Sequence, residues 1–195
     1  MTDEEYLSFI QPYEDARQNI RVRVDVLNND YRRKEHNYPI HHIQHRIKQK
    51  KSIENKLLRN GHDISTEAAR NHLTDIAGIR VICYFVRDIY SIVNLLKKQT
   101  DIVLIKESDY IKKPKVNGYR SYHIVFGVPV YHTDGMEYYP VEIQLRTMSM
   151  DLWASMEHRI CYKREKKERE VEELKLYAEA LKDIEEKMEF LSDFS

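Results

Sequence analysis

Four short stretches carry residues whose types and spacing could do chemistry. In "HRIKQKKSIENKL", Arg46 and Lys48 straddle an apolar residue, so in extended chain they point the same way. Lys56 follows Lys48 by eight residues, close to the same face if the segment is helical. Cations so arranged can clamp a polyphosphate, and they can equally form an ordinary basic helix face. In "TDIAGIRV", Asp75 stands just ahead of an apolar run and Arg80 lies inside it. A charged arginine among Ile79, Val81 and Ile82 calls for a cleft or a partner. In "VEIQLR", Glu142 alternates with Val141 and Ile143, which on a strand turns it to the opposite face. Such a glutamate usually faces solvent. Two carboxylates from separate strands can also converge on Mg²⁺, a hard cation that takes carboxylates and substrate phosphates together. The fourth stretch, "KPKVNGYRSYH", gathers Lys113, Lys115 and Arg120 around Asn117-Gly118, with Tyr119, Tyr122 and His123 close behind. It reads as a solvated basic turn or as a cationic, aromatic loop for a nucleobase. Two acids, scattered cations and aromatic rings are the parts of a nucleotide site, although spacing alone does not establish that they meet.

The elements that must position these residues follow from periodicity. Tyr6, Ile10, Tyr13, Ile20, Val24, Leu27 and Tyr31 have the spacing of one long amphipathic helix, with Pro12 marking a first turn or a kink. A short connection around Pro39 leads to a second helical pattern from about Ile47 to Leu58, closed by Asn60-Gly61. "IRVICYFV" (79–86) has the β-branched and aromatic character of a buried strand, and "DIYSIVNLLKKQ" then has helical spacing. Strands are expected over 102–110, 119–132 and 137–146, the second opened by Tyr119. Thr133-Asp134-Gly135 joins the last two as a hairpin. A helix bearing Leu152, Trp153, Met156 and Ile160 comes next. The chain closes with a coiled-coil-like stripe at Leu174, Tyr177, Leu181, Ile184, Met188 and Leu191. The fold class is α/β (α+β): a mixed, largely antiparallel sheet flanked by helices. It forms one domain divided into an N-terminal helix (1–36), a core (37–164) and a C-terminal helix (165–195).

The composition bounds the partners. Of 195 residues, 32 are basic and 32 acidic, which disfavours bulk nucleic acid or an anionic membrane as main partner, so a bound anion needs a local cluster. Cys83 and Cys161 form no metal spacing, and the acidic opening lacks the apolar region of a signal peptide. No apolar run approaches the roughly 20 residues of a membrane span. A cytoplasmic protein is expected. Cys83, Trp153, His158 and Tyr122 read as packing residues.

Taken in order, "RIK", "DIAGIRV", "DYIKKPKVNGYRSYH" and "VEIQLRTMSMDLWASMEH" resemble the synthetase domain of RelA/SpoT-type enzymes. Chain length and the helical ends resemble the stand-alone small alarmone synthetases, the RelP branch most and the RelQ branch next. The similarity runs from about Pro39 to Lys163. The lone His62-Asp63 lacks the remainder of a phosphohydrolase site.

The resemblance implies transfer of the β,γ-pyrophosphate of ATP to the ribose 3′-hydroxyl of GDP or GTP, giving (p)ppGpp and AMP, with Mg²⁺ as cofactor. It implies that Arg46 and Arg80 sandwich the adenine and that Lys48 and Lys56 hold the ATP phosphates. Asp75 and Glu142 would hold the metal, Glu142 also serving as base. Tyr119 would stack on guanine, with Lys115, Asn117 and His123 fixing the acceptor nucleotide and Asp151 accepting hydrogen bonds from the base. A homotetramer built from helical contacts is implied as well. The sequence departs from the family at His41, where Glu is frequent, and at Gln49 and Lys50, where Ser or Pro is usual. That stretch belongs in some relatives to an allosteric pocket, so the departure bears on regulation. Two rivals remain: pyrophosphorylation of the tRNA 3′ end, which needs a basic surface that the neutral charge disfavours, and a non-catalytic RNA-binding module, which retained acids at 75 and 142 disfavour.

Overall fold

A computed structural model describes residues 1–35, 38–161 and 168–192. The elements in chain order are α1 (Asp3–Glu35), β1 (Ile40–Ile47), α2 (Lys50–Arg59), α3 (Thr66–His72), β2 (Ala77–Cys83), α4 (Val86–Lys97), β3 (Val103–Asp109), β4 (Tyr122–His132), β5 (Gly135–Thr147), α5 (Met148–Ile160) and α6 (Glu168–Ser192). The expected boundaries at 36/37 and 164/165 and the end of the similarity at Lys163 lie outside the described residues.

The five strands form one sheet in the order β1-β2-β5-β4-β3, parallel only between β2 and β5. Period-2 alternation divides this sheet into two chemically different faces. Ala77, Ile79 and Val81 on β2, Ile124 and Phe126 on β4, and Val141, Ile143 and Leu145 on β5 are buried on one face. Across that face lie α1, which buries Phe9, Ile10, Tyr13, Ala16, Ile20 and Val24, and α4, which buries Ile89, Ile92, Val93 and Leu96. A Thr2–Glu5 pair of reciprocal hydrogen bonds opens α1. Acids in its first turn and Arg32, Arg33 and Lys34 in its last complement the helix dipole. Pro12 lies inside this helix, beyond its first turn.

The other face is polar. In register across it stand Gln44 with Arg80 and Arg46 with Gly78, then Gly78 with Glu142 and Arg80 with Gln144, then His123 with Gln144 and Ser108 with His123. This face carries the candidate site.

Several boundaries differ from the sequence expectation. Ile47 ends a strand instead of opening a helix, and α2 starts at Lys50. β1 went unread because "IHHIQHRI" is an edge strand with a polar face and only Ile40 fully buried, so it lacks an apolar run. The short helix α3, capped by the Ser65 hydroxyl, was likewise unread. Tyr119 precedes β4 instead of opening it: Gly118 has φ +86°, and the Asn117 side chain accepts from the Tyr119 N–H, so the chain turns there and extends only from Tyr122. Cys83, Tyr122 and Trp153 are buried as expected, but His158 is exposed on α5. On α6 the face turned inward is Leu174, Ala178, Leu181 and Glu185, whereas Tyr177, Ile184, Met188 and Leu191 of the expected stripe are exposed.

Candidate active site

Two clefts open on the polar face and share their floor. One, of about 460 Å³, is lined by Gln44, His45, Arg46, Asp75, Gly78, Ile79, Arg80, Glu142, Gln144 and Arg146. The other, of about 190 Å³, is lined by Lys56, Thr74, Asp75, Lys106, Ser108, Tyr110, His123, Val125 and Glu142. Asp75 and Glu142 belong to both. Asp75 sits just ahead of β2, and Glu142 lies on β5 in register with Gly78, so parallel pairing of β2 with β5 brings the two acids to one place.

Asp75 is held by both expected lysines. Lys48 Nζ lies 2.5 Å and Lys56 Nζ 2.8 Å from its Oδ2. Lys48 is almost fully buried at the chain turn between β1 and α2, where its N–H donates to the Ile76 carbonyl. Burial would raise the Asp75 carboxyl, but the two lysine contacts outweigh it and hold it below the ordinary aspartate value. Burial lowers the Lys48 ammonium, with Asp75 opposing the shift. The Oδ1 atom of Asp75 is buried and has no hydrogen-bond partner.

Glu142 heads a second chain of contacts. His123 Nδ1 stands 3.5 Å from Glu142 Oε1, and the Gln144 amide donates to its Oε2 at 2.8 Å. Burial pushes the Glu142 carboxyl up, yet the His123 and Gln144 interactions prevail and leave it below the ordinary glutamate value. The Nε2 atom of His123 lies 2.8 Å from the Tyr119 hydroxyl, which also accepts from Arg146 Nη2 at 2.8 Å. An imidazole protonated on Nδ1 satisfies this chain, donating to Glu142 and accepting from Tyr119.

Arg46 and Arg80 stand on adjacent strands and share the polar face as diagonal neighbours, two residues apart in register. Arg80 donates to Gln44 and lies 3.4 Å from Asp151 Oδ1. The same Oδ1 accepts from Arg146 at 3.0 Å, so Asp151 is the counter-ion of an arginine pair in this structure. Arg80 Nε and Arg146 Nε are buried without partners, as is Asp75 Oδ1, and all three residues line the larger cleft. Buried polar atoms are normally satisfied, so three orphans in one cleft mark a place for a polar ligand.

Lys115 and Asn117 sit apart from the carboxylates. They line an open hollow with Pro114, Val116, Tyr119 and Glu157. Lys115 Nζ lies 4.9 Å from the ring centres of both Tyr110 and Tyr119, and Asn117 reaches Glu157 as well as the Tyr119 N–H. Tyr119 is the residue that joins this hollow to the His123–Glu142 chain. Residues that sequence reasoning passed over are Arg146, Gln144, Gln44, Lys106, Ser108 and Tyr110. The alternation Glu142, Gln144, Arg146 in "VEIQLR" was a legible sign of a polar strand face.

Among the described residues no three His, Cys, Asp or Glu side chains form a self-sufficient metal site. Asp75 and Glu142 alone suit Mg²⁺, which takes one or two carboxylates and completes its shell with water and substrate phosphates. The orphaned Asp75 Oδ1 fits that use.

A mixed five-stranded sheet with a cation-rich polar face and a carboxylate pair at its floor is an α/β fold whose site suits a phosphorylated ligand. Residues 45–167 match the family model described as the region found in RelA/SpoT proteins. Over 95% of this chain and 89% of the relative, the sequence is 40% identical to the GTP pyrophosphokinase YwaC of Bacillus subtilis. Over 84% of this chain and 76% of the relative, it is 34% identical to the GTP pyrophosphokinase YjbM of the same organism. The crystal structure of small alarmone synthetase 1 from Bacillus subtilis bound to its product pppGpp superposes with a TM-score of 0.88 at 30% identity, covering 98% of each chain. Small alarmone synthetase 2 from that organism superposes with a TM-score of 0.86 at 38% identity, over 98% of this chain and all of that one. The chain belongs to the RelA/SpoT family, and within it to the small alarmone synthetases.

Proposed function

We propose that this chain is a (p)ppGpp synthetase, a GTP/GDP diphosphokinase that moves the β,γ-pyrophosphate of ATP onto the ribose 3′-hydroxyl of GDP or GTP. The observation that carries the proposal is the pair of clefts meeting at Asp75 and Glu142. Two substrates can occupy separate lobes while their reacting groups converge on one pair of carboxylates. In the transfer, the 3′-oxygen forms a bond to the β-phosphorus, the bond from that phosphorus to the α,β-bridging oxygen breaks, and AMP leaves.

Arg46 and Arg80 bind the adenine by stacking, the use to which a guanidinium plane is suited. Lys48 and Lys56 hold the phosphates, exchanging part of their hold on Asp75 for the incoming oxygens. Glu142, kept ionised by His123 and Gln144, accepts the proton of the attacking hydroxyl. Tyr119 stacks on guanine, Lys115, Asn117 and His123 orient the acceptor, and Asp151, which also holds Arg80 and Arg146, accepts hydrogen bonds from the guanine. Asp75 and Glu142 would hold Mg²⁺, which would neutralise phosphate charge during transfer.

The exposed stripe Tyr177, Ile184, Met188 and Leu191 on α6, with Leu7, Val22 and Val26 exposed on α1, supports assembly through helices into a homotetramer. No helix among the described residues is long and apolar enough to cross a membrane. The reading keeps the protein in the cytoplasm, with its nucleotide substrates. The test is incubation with labelled ATP and Mg²⁺ in the presence of GDP, GTP or tRNA. Label on guanine nucleotides with matching AMP is expected, and label on tRNA alone would refute the assignment.

A further inference from the structure

The loop that presents Tyr119 is built against the C-terminal helix, through contacts outside both clefts. At Gly118 any Cβ would stand 2.7 Å from Ala178 Cβ and 3.0 Å from Lys175 Cα on α6, so the loop approaches the helix as closely as a glycine allows. Two residues on, Arg120 is buried and its Nη1 lies 3.2 Å from Glu185 Oε2, itself buried. The second oxygen of Glu185 has no partner. From the other side Trp153, the single tryptophan, donates its indole N–H to the Leu174 carbonyl at 2.8 Å and holds its ring 6.2 Å from that of Tyr119. Tyr119 thereby packs on a cluster of Trp153, Ala154, Cys161, Leu174 and Ala178 that is separate from the main core.

The inward face of α6 is apolar at Leu174, Ala178 and Leu181, and Glu185 continues the same face by helical spacing. A further leucine there would hold the helix at least as well, because a buried ion pair recovers little beyond its own desolvation. What the pair supplies is register. Apolar contacts tolerate sliding, whereas a carboxylate and a guanidinium removed from water meet in one place only.

We infer that α6 is the positioning element of the acceptor loop and that the Arg120–Glu185 pair sets the register in which Tyr119 is offered to the acceptor nucleotide. Neither residue lines the two clefts or the hollow beside Tyr119; both act through Tyr119, so the inference rests on the proposed acceptor role of that ring. Glu185→Gln keeps the shape and removes the charge, and the double variant Arg120→Met/Glu185→Met replaces the pair with apolar side chains that keep the helix packed. For both, KM for GDP or GTP rises roughly tenfold or more, the size of one charge-assisted hydrogen bond lost from a positioning contact. KM for ATP and kcat at saturating acceptor stay within about twofold. Amide hydrogen exchange over residues 113–121 accelerates, and the Trp153 emission shifts.

The double variant separates positioning from stability, since it melts near or above the wild-type temperature while acceptor KM remains raised. A folded double variant with wild-type acceptor KM and unchanged exchange in the loop overturns the inference, as does a parallel loss of ATP and acceptor affinity. The exchange and emission measurements do not depend on turnover. A wild-type protein that transfers nothing to guanine nucleotides would therefore sink the functional assignment, while a quickened loop in the variants would still uphold the clamp.

Discussion

Tyr119 does two things that substitution can pull apart. Its ring lies beside Trp153 and under the Lys115 ammonium, and its hydroxyl sits 2.8 Å from both Arg146 Nη2 and His123 Nε2. Tyr119→Ala removes both functions. Loss of base stacking costs about 1–3 kcal/mol, which weakens GDP or GTP binding roughly 5- to 150-fold. Tyr119→Phe keeps the ring and deletes only the hydroxyl. Arg146 then keeps Asp151 and Gln144 as partners, and His123 keeps Glu142. The cost of that deletion, on the order of 1.5–3 kcal/mol for a hydrogen bond to a charged group, falls on folding stability more than on acceptor affinity. Titration calorimetry with GDP or GTP, and separately with a non-hydrolysable ATP analogue, measures the two affinities, and urea unfolding measures stability. The expected pattern is a large acceptor loss for Ala, a small one for Phe, and ATP affinity spared in both. Equal losses for both nucleotides in Tyr119→Ala, or a Phe variant as impaired in acceptor binding as Ala, would refute the stacking role.

Glu142→Gln is expected to cut turnover by at least about 10²-fold, the lower end for loss of a general base, with an unchanged melting temperature. Asp75→Asn leaves the base in place, so excess Mg²⁺ restores part of its activity; a Mg²⁺ titration of both variants shows whether they differ. Because the Glu142 carboxyl lies below its ordinary value and the ionised form is the active one, activity is present above that lowered pKa and is lost only as pH falls through it. His123→Gln leaves burial less opposed and moves the acid limb of the pH–rate profile upward; an unmoved limb would exclude Glu142 as the titrating group. Light scattering is expected to give four chains per particle for the wild type and fewer for Ile184→Asp/Met188→Asp, whereas a wild-type monomer at micromolar concentration contradicts the helical assembly.

The centre of the sheet and part of the candidate site were legible in the sequence because one alternation served both. Val141, Ile143 and Leu145 reveal β5 by facing the core, and the residues between them, Glu142, Gln144 and Arg146, line the larger cleft. β1 stayed hidden for the same reason, since an edge strand with one polar face presents His and Gln where a run of apolar residues would announce it. Arg146 was passed over because nothing local distinguishes it from a surface arginine; its meaning comes from Asp151 on the following helix and from Tyr119 across the loop. The inward face of α6 escaped periodicity because Ala178 and Glu185 are small or charged, and their burial follows only from the loop that packs on them. The joining of Asp75 to Glu142 is a product of parallel pairing between strands far apart in sequence, which no spacing rule reports.

In the proposed reaction one hydroxyl of a guanine nucleotide receives the pyrophosphate at the shared floor of two clefts. The most direct measurement supplies ATP labelled in the β-phosphate together with GDP, 2′-deoxy-GDP or 3′-deoxy-GDP, and follows label and AMP side by side. Labelled guanine nucleotide with one AMP per transfer is expected for GDP, the same product class for 2′-deoxy-GDP, and nothing for 3′-deoxy-GDP. Transfer to 3′-deoxy-GDP, or AMP released without labelled guanine nucleotide, would contradict that reaction.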